Sequence, residues 1–302
     1  KILNSLAGKL IYTGYANGER NLTADVQIAE SLTGSSKFLT GGVLNFKSDG
    51  QGYYGKEVHI AGIYTTDITG SAADSEFINA GVTEDYKSYN FTDSVEGASK
   101  VILQGIKVAG DTGNYKDEKK ITIKIFADQA ELNDSINIGY RGTVDLKANT
   151  VTIKGVENTA IDNYGGTLKV DGNVEISDVA NGIHTNSKAE VAGAEYIGTV
   201  DIKGQAKITA EKTAIATEGG VVSVGAGSEI ISTNGDAIVA QGQRLFSMQV
   251  GYYDKEVAGK VNVAGGTISA ANGNAINAAG GHVYVNANGG NDTKITGNIL
   301  VA

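Results

Sequence analysis

A thirteen-residue phrase occurs three times in this chain, and a recurring phrase constrains a fold more tightly than any local propensity. It first reads Asn158-Thr159-Ala160-Ile161-Asp162-Asn163-Tyr164-Gly165-Gly166-Thr167-Leu168-Lys169-Val170. It returns from Lys212 to Val224 around Ala214-Ile215 and Gly219-Gly220, and from Gly273 to Val285 around Ala275-Ile276 and Gly280-Gly281. Each copy has a small residue before an Ile, a Gly-Gly pair four residues after it, and then two apolar residues one apart.

The Ile of the phrase can be followed further, through Ile136, Ile161, Ile183, Ile215, Ile238 and Ile276, with gaps of 25, 22, 32, 23 and 38 by subtraction. A second landmark accounts for the two long gaps. Val170 to Ile183, Ile202 to Ile215 and Val263 to Ile276 are each 13 residues. The extra length therefore lies earlier, as insertions of about ten residues near 185–198 and about sixteen near 241–259. Without them every gap falls between 22 and 25. The segments Gly142-Thr143-Val144-Asp145-Leu146-Lys147 and Gly198-Thr199-Val200-Asp201-Ile202-Lys203 differ only by Leu for Ile, which supports the alignment.

A unit of about 22 residues with three short apolar strands fits one turn of a parallel β-helix, each strand pairing with its counterpart about 4.8 Å away in the next turn. In the Ile161 unit the strands are expected around Thr159-Ile161, Thr167-Val170 and Val174-Ile176. The Gly-Gly pair marks a corner that needs positive φ or a close backbone approach. The residue before the Ile is Ala160, Gly182, Ala214, Ala237 or Ala275, a column of small side chains expected in a crowded part of the core. One turn buries too little apolar surface to offset the ordering of its own backbone, so the turns must stack and fold cooperatively.

The first 120 residues are β-like but irregular. Period-two alternation marks Leu22 to Ile28, Val43 to Phe46, Val58 to Ile60 and Val101 to Leu103. Two polar stretches, 48–56 and 65–97, carry Tyr53, Tyr54, Tyr86, Tyr89 and Phe91 and are expected as protruding loops, the second with room for a short helix or hairpin. The expected organisation is thus irregular turns with long loops over 1–120 and regular repeats over 121–302.

Composition agrees with many short strands joined by glycine turns: 42 Gly, no Pro, no Trp and no Cys in 302 residues. The absence of Cys excludes a disulfide framework and a thiolate metal site. A net charge of -9 opposes non-specific nucleic-acid binding, which needs a positive field. The run Lys116 to Lys120 is internally neutralised by Asp117 and Glu118 and reads as a solvated loop. No window approaches the roughly 20 apolar residues of a membrane helix. The chain opens on Lys1, and its last segment, Thr293 to Ala302, still has repeat character, so a processed or excised piece of a longer protein is expected.

The pattern Asn-x-Ala-Ile-x-x-x-Gly-Gly-x-Val-x-Val, with its Gly-Thr-Val and Gly-Asn-Ala-Ile variants, resembles the passenger domains of type V autotransporters, closely over 121–302 and in style over 1–120. That resemblance implies a right-handed β-helix, displayed on a Gram-negative outer membrane by a C-terminal β-barrel that lies outside this sequence. It implies a cell-surface adhesin, active in adhesion, aggregation, biofilm or virulence, whose partner is a host or bacterial surface protein or glycan. Family members also include self-associating factors, proteases and esterases, so the motif specifies architecture more than ligand.

Enzymatic chemistry finds little support in the residues. Polysaccharide-cleaving β-helix enzymes need carboxylates converging on a groove. The nearest candidates, Asp117/Glu118, Asp128/Glu131 and Asp134, have no His or Arg at matching positions in neighbouring turns; Arg occurs only at 20, 141 and 244. His59, His184 and His282 sit in or beside strands of different regions and are expected as exposed wall positions. No Gly-x-Ser-x-Gly motif occurs. Gly289-Gly290-Asn291-Asp292 does not repeat as a calcium motif would, and Gly225-Ala226-Gly227 lacks a phosphate-loop setting. No cofactor, metal site or catalytic residue is expected.

The insertions are the better functional candidates, because solenoids place recognition in loops on one side of a stable wall. The stretch 241–259 holds Arg244, Phe246, Met248, Tyr252 and Tyr253. Exposed aromatics and Arg are common interface anchors, so Arg244, Phe246, Tyr252 and Tyr253 are the first candidates for partner binding, with Tyr53 and Tyr54 beside them. The opposing expectation is that Phe246 and Met248 pack on the wall and hold the loop down. Self-association through polar ladders and a polysaccharide-cleaving activity are the rival functions.

Overall fold

The computed structural model describes residues 129–140, 142–189, 195–248, 252–285 and 293–302 with their side chains, together with Gly105 and Ile106; for the strands within 19–28, 48–60, 81–90, 100–109 and 120–128 it describes the backbone. Every regular element among these residues is a β-strand, and eighteen strands join one sheet dominated by parallel pairing.

The repeat phrase sets that pairing. Ile106, Ile136, Ile161, Ile183, Ile215, Ile238, Ile276 and Ile299 are successive partners across parallel strands. The seven from Ile106 to Ile276 are at most 5% exposed. Ile123, Val144, Leu168, Val200, Val222, Val261 and Val283 form a second row. Leu132, Ile153, Ile176, Ile208, Ile230, Ile268 and Ile295 form a third. One long strand, Thr167–Asn186, contributes to all three rows, bending at Gly172 (φ 151°) and Asp178 (φ 54°). Apart from Ile299, which is 56% exposed, the described residues of the three rows share one hydrophobic core, with Val283 and Ile295 half-buried against it. Burying each such aliphatic side chain contributes about 1.5–3 kcal/mol, and each sits on a partner of nearly the same shape.

The two glycines of each corner have different reasons to be glycine. The first of each pair, Gly165, Gly219 or Gly280, has φ between 67° and 77°, a left-handed conformation costly for other residues. The second keeps an ordinary φ but lies against the neighbouring row. A Cβ on Gly166 would come within 2.3 Å of Ile138 Cγ2, and one on Gly281 within 2.4 Å of the Ala240 carbonyl carbon. The small column before the Ile is likewise crowded: Ala160, Ala214, Ala237 and Ala275 have no exposed surface, and a Cβ on Gly182 would meet the Ala214 carbonyl oxygen at 2.4 Å.

The interior is not wholly apolar. Asn163, Thr185 and Thr217 are successive register partners with no exposed surface, next to the Gly-Gly corners. The Asn163 amide donates to the carbonyls of Gly166 (3.0 Å) and Thr199 (3.1 Å) and accepts from the Gly166 N–H (2.9 Å), tying the corner shut. On the outside, Asp145, Lys169 and Asp201 occupy one register column with alternating sign, and Thr143, Thr167 and Thr199 another.

Both stretches of surplus length leave the parallel rows as antiparallel β-structure. Lys188–Ala189 pairs with Glu195–Tyr196. The end of the strand Ile238–Ser247 pairs with Tyr253–Ala258. In the first 120 residues Thr23–Ile28 and Glu57–Ile60 are strands, and Gly81–Thr83 pairs antiparallel with Ser88–Asn90. Thr23–Ile28 runs antiparallel to Lys100–Ala109, which is also bonded in parallel to two later strands. The expected strand at Val43 to Phe46 lies outside the described residues.

Candidate functional site

The strand Ile238–Ser247 runs with the parallel rows as far as Gln241 and then departs. From Gly242 it pairs with the returning strand, Gly242 opposite Ala258, Arg244 opposite Glu256, Phe246 opposite Asp254 and Ser247 opposite Tyr253. The chain rejoins the rows where the Gly259 N–H donates to the Gln241 carbonyl at 2.8 Å. Because side chains alternate along a strand, this ribbon has two faces. One carries Gln243, Leu245, Tyr253, Lys255 and Val257, and the other Arg244, Phe246, Tyr252, Asp254 and Glu256.

The first face is the anchor. Leu245 is 2% exposed. The Gln243 amide donates to the Ser187 carbonyl (2.9 Å) and accepts from the Ser187 N–H (2.8 Å). The Ser187 hydroxyl donates in turn to the Gly219 carbonyl (2.7 Å) and accepts from the Gly198 N–H (3.1 Å). Further out, Glu195 of the shorter hairpin accepts from the Tyr253 hydroxyl (2.5 Å) and from Lys255 Nζ (2.7 Å). These bonds hold the Glu195 carboxyl below its ordinary range, Lys255 contributing most. Loss of water and the adjoining carboxylate push the Tyr253 phenol up to about 12. The shorter hairpin is itself held: Tyr196 meets Tyr140 edge-on at 5.6 Å, and Lys188 Nζ lies 3.7 Å from the centre of the Tyr140 ring. The two insertions form one stitched projection.

The second face points outward. Arg244 donates to both oxygens of Asp254, Nε to Oδ1 at 2.8 Å and Nη2 to Oδ2 at 2.7 Å. The Tyr252 hydroxyl donates to the same Oδ2 at 2.8 Å. The Asp254 carboxyl is lowered to about 2 by Arg244 first and Tyr252 second, and the Tyr252 phenol is raised by its bond to that carboxylate. Phe246 meets Tyr252 nearly perpendicular at 5.9 Å, with the Arg244 guanidinium 5.7 Å from the centre of the Phe246 ring. Phe246 stays 49% exposed, Met248 71% and Tyr252 75%. The result is two exposed rings fixed at a right angle beside an internally neutralised Arg–Asp fork.

Of the residues singled out from the sequence, Arg244, Phe246 and Tyr252 come together on this outward face. Tyr253 sits on the inner face and fastens the ribbon. Tyr53 and Tyr54 lie outside the described residues, as do Tyr86 and Phe91, while Tyr89 falls in the strand Ser88–Asn90. Asp254 and Glu195, which organise the two faces, were not singled out. Their roles depend on which residues the antiparallel pairing places opposite one another, and no spacing in the sequence specifies that. Tyr164, 44% exposed and in register with Asn186, was also not singled out.

His184 lies at 2.8 Å, through Nδ1, from Asp162 Oδ1 of the neighbouring strand; that bond raises its pKa, with a smaller contribution from Glu218. It is thus a half-covered partner in a wall pair. His282 is exposed, beside Tyr284 at 6.0 Å between rings. His59 is in the strand Glu57–Ile60, and its side chain lies outside the described residues. Asp117, Glu118, Arg141 and residues 289–292 lie outside them as well. Asp134 accepts the Ser135 N–H at 2.7 Å in an exposed turn. An open groove of about 380 Å³ is lined by Val156, Glu157, Asp178, Ala210, Glu211 and Thr233 among others. It gathers carboxylates, but no His or Arg lines it, and Asp178 lies 3.5 Å from Lys154. No cluster of three metal-ligating side chains occurs among the described residues.

Comparison of the chain with protein-family models, with characterised proteins and with solved structures finds no match in any of the three.

Proposed function

We propose that the chain is a right-handed parallel β-helix of about 22 residues per turn and that this rod serves as an adhesin passenger, presenting the ribbon 242–258 to a surface receptor. The rows of stacked Ile, Leu and Val support the architecture. In this reading 1–120 contributes less regular turns with long loops, and 121–302 the regular ones. The type V autotransporter pattern of the repeats supplies the setting: display at the outer surface of a Gram-negative cell, with adhesion to host or neighbouring bacterial cells as the task. Binding is non-covalent and uses no cofactor.

One observation carries the functional part. The ribbon leaves the wall, is fastened to it through one face, and keeps two aromatic rings and a locked Arg–Asp fork in solvent on the other. A segment whose only task was to cover the wall would turn those rings inward. Anchored aromatics beside Arg are typical of recognition surfaces, because their geometry is set before the partner arrives.

Excision of 243–258 tests the reading. Gly242 and Gly259 can be joined by a tight connection, since the Gln241 carbonyl and the Gly259 N–H are already hydrogen-bonded. The shortened protein is expected to keep the far-ultraviolet circular dichroism of the parent and to lose most binding to cultured host cells or to a bacterial lawn. Undiminished binding by the folded deletion would remove the ribbon from the function.

A further inference from the structure

We infer that the ligand of the outward ribbon face is a short, uncharged oligosaccharide, a sugar ring resting against Phe246 and Tyr252 with its hydroxyls beside the Arg244–Asp254 fork. The inference rests on the reading of this ribbon as a recognition surface and adds the ligand's chemistry to it.

Size is the first consideration. The outward face runs over about five residues of each strand, at about 3.4 Å per residue, and is two strands wide. That is on the order of 200 Å², whereas one partner of an ordinary protein–protein interface buries about 800 Å². The ring pair is too small to carry a folded partner and wide enough for a few sugar units.

Charge is the second. Although the chain as a whole carries -9, the ionised groups of the two hairpins are largely paired with one another. Arg244 binds Asp254 through two bonds and lies opposite Glu256 in register, and Lys255 binds Glu195. The patch therefore offers little net field to a charged ligand, while the surrounding chain repels an acidic one.

Chemistry is the third. The C–H face of a pyranose is weakly positive and meets the negative face of an aromatic ring. Rings held at 84° to one another form a corner in which one ring can support the sugar and the other flank it. The Asp254 carboxylate already accepts three bonds, so it serves as a fixed brace. The groups left to the ligand are the Tyr252 phenol oxygen as acceptor and the remaining Arg244 N–H groups as donors, a neutral pattern that suits hydroxyls.

The test uses the full 302-residue chain on an array spanning neutral hexose, 6-deoxyhexose and N-acetylhexosamine oligosaccharides, with sialylated and uronic-acid oligosaccharides alongside. Hits are followed by saturation-transfer nuclear magnetic resonance and calorimetry. At least one neutral oligosaccharide is expected to bind with a Kd in the range of about 10 µM to 1 mM. Phe246→Ala and Tyr252→Ala should each weaken it about tenfold, the factor expected from losing one aromatic contact. Tyr252→Phe should stay within about threefold, and Tyr253→Phe, on the inner face, should leave the affinity unchanged. Circular dichroism verifies each fold, and Tyr252→Ser provides a second exposed-face variant if an alanine variant is unstable. A blank neutral array, binding confined to acidic oligosaccharides, or affinity indifferent to both alanine variants overturns the inference. If the array is blank while cell binding still depends on 243–258, the glycan falls and the recognition role of the ribbon stands.

Discussion

The stacked rows and the projecting ribbon are both β-structure, but they are held in different ways. In the rows each buried aliphatic side chain rests on its counterpart in the next strand, so stability is spread over many near-identical contacts. In the ribbon one buried leucine, one glutamine and one carboxylate fasten a two-stranded segment that would be marginal alone. The rows thus tolerate variation on their outer columns and little inside. The ribbon can vary across its outer face while its anchors stay fixed, a division suited to a recognition surface on a constant support.

Substitutions tell the two kinds of support apart, and a buried charge in the rows should do the most damage. Ile215→Asp places a carboxylate at a position with no exposed surface. It should cost more than about 4 kcal/mol and unfold the neighbouring strands, as read by urea denaturation and limited proteolysis. An equally drastic change on the outward ribbon face, Phe246→Asp, should move the urea midpoint very little. Comparable losses from the two would mean that the ribbon belongs to the folding core.

The corner glycines give a middle-sized test. Gly281→Ala should cost about 1–3 kcal/mol, because the new methyl group meets rigid backbone of the adjacent strand. Gly280→Ala should cost about 1–2 kcal/mol, chiefly through its positive φ, the new methyl group coming only to 3.3 Å from the Gly242 nitrogen. The order of the two denaturation midpoints separates close approach from backbone conformation.

A smaller effect should appear with pH. The pKa of His184 is raised in the folded protein, chiefly by its bond to Asp162. Its contribution is therefore complete below the ordinary histidine value near 6.5 and fades as pH rises through the folded value. Thermal melts should show a decline in Tm across that interval, and Asp162→Asn should flatten it. A Tm that instead rises through the window contradicts the assigned pairing. Smallest of all, Tyr253→Phe removes one bond to Glu195. Global stability should change by less than about 0.5 kcal/mol, with a few-fold faster amide exchange confined to 242–258. Accelerated exchange in the parallel rows would show that ribbon and wall are more tightly coupled than their bonds suggest.

Much of the wall was legible in advance. The Ile column, the small column beside it and the two lengths of surplus chain all follow from counting residues. In the structure Ile183 pairs directly with Ile215, and Ile238 with Ile276, so the surplus is looped out between them. The buried Asn163, Thr185 and Thr217 escaped notice because they occupy one column of chemically mixed members, continuing into Ala240. The functional difference between the two glycines of a pair was equally hidden. One answers to a torsion angle and the other to a neighbour that the sequence places some 25 or more residues away, as with Gly166 and Ile138.

The recurrence of the phrase is enough to assign residues to columns and to mark where the chain must leave them, because parallel stacking of like on like is what a repeated apolar pattern can bury. That Tyr252 faces solvent while its neighbour Tyr253 bonds to Glu195 is a property of the folded chain and of no shorter stretch of it. Alternation along a strand says that adjacent residues point to opposite sides. Which side becomes the inside is set by the antiparallel register of the ribbon and by the hairpin it leans on, and both are contacts between segments far apart in the chain.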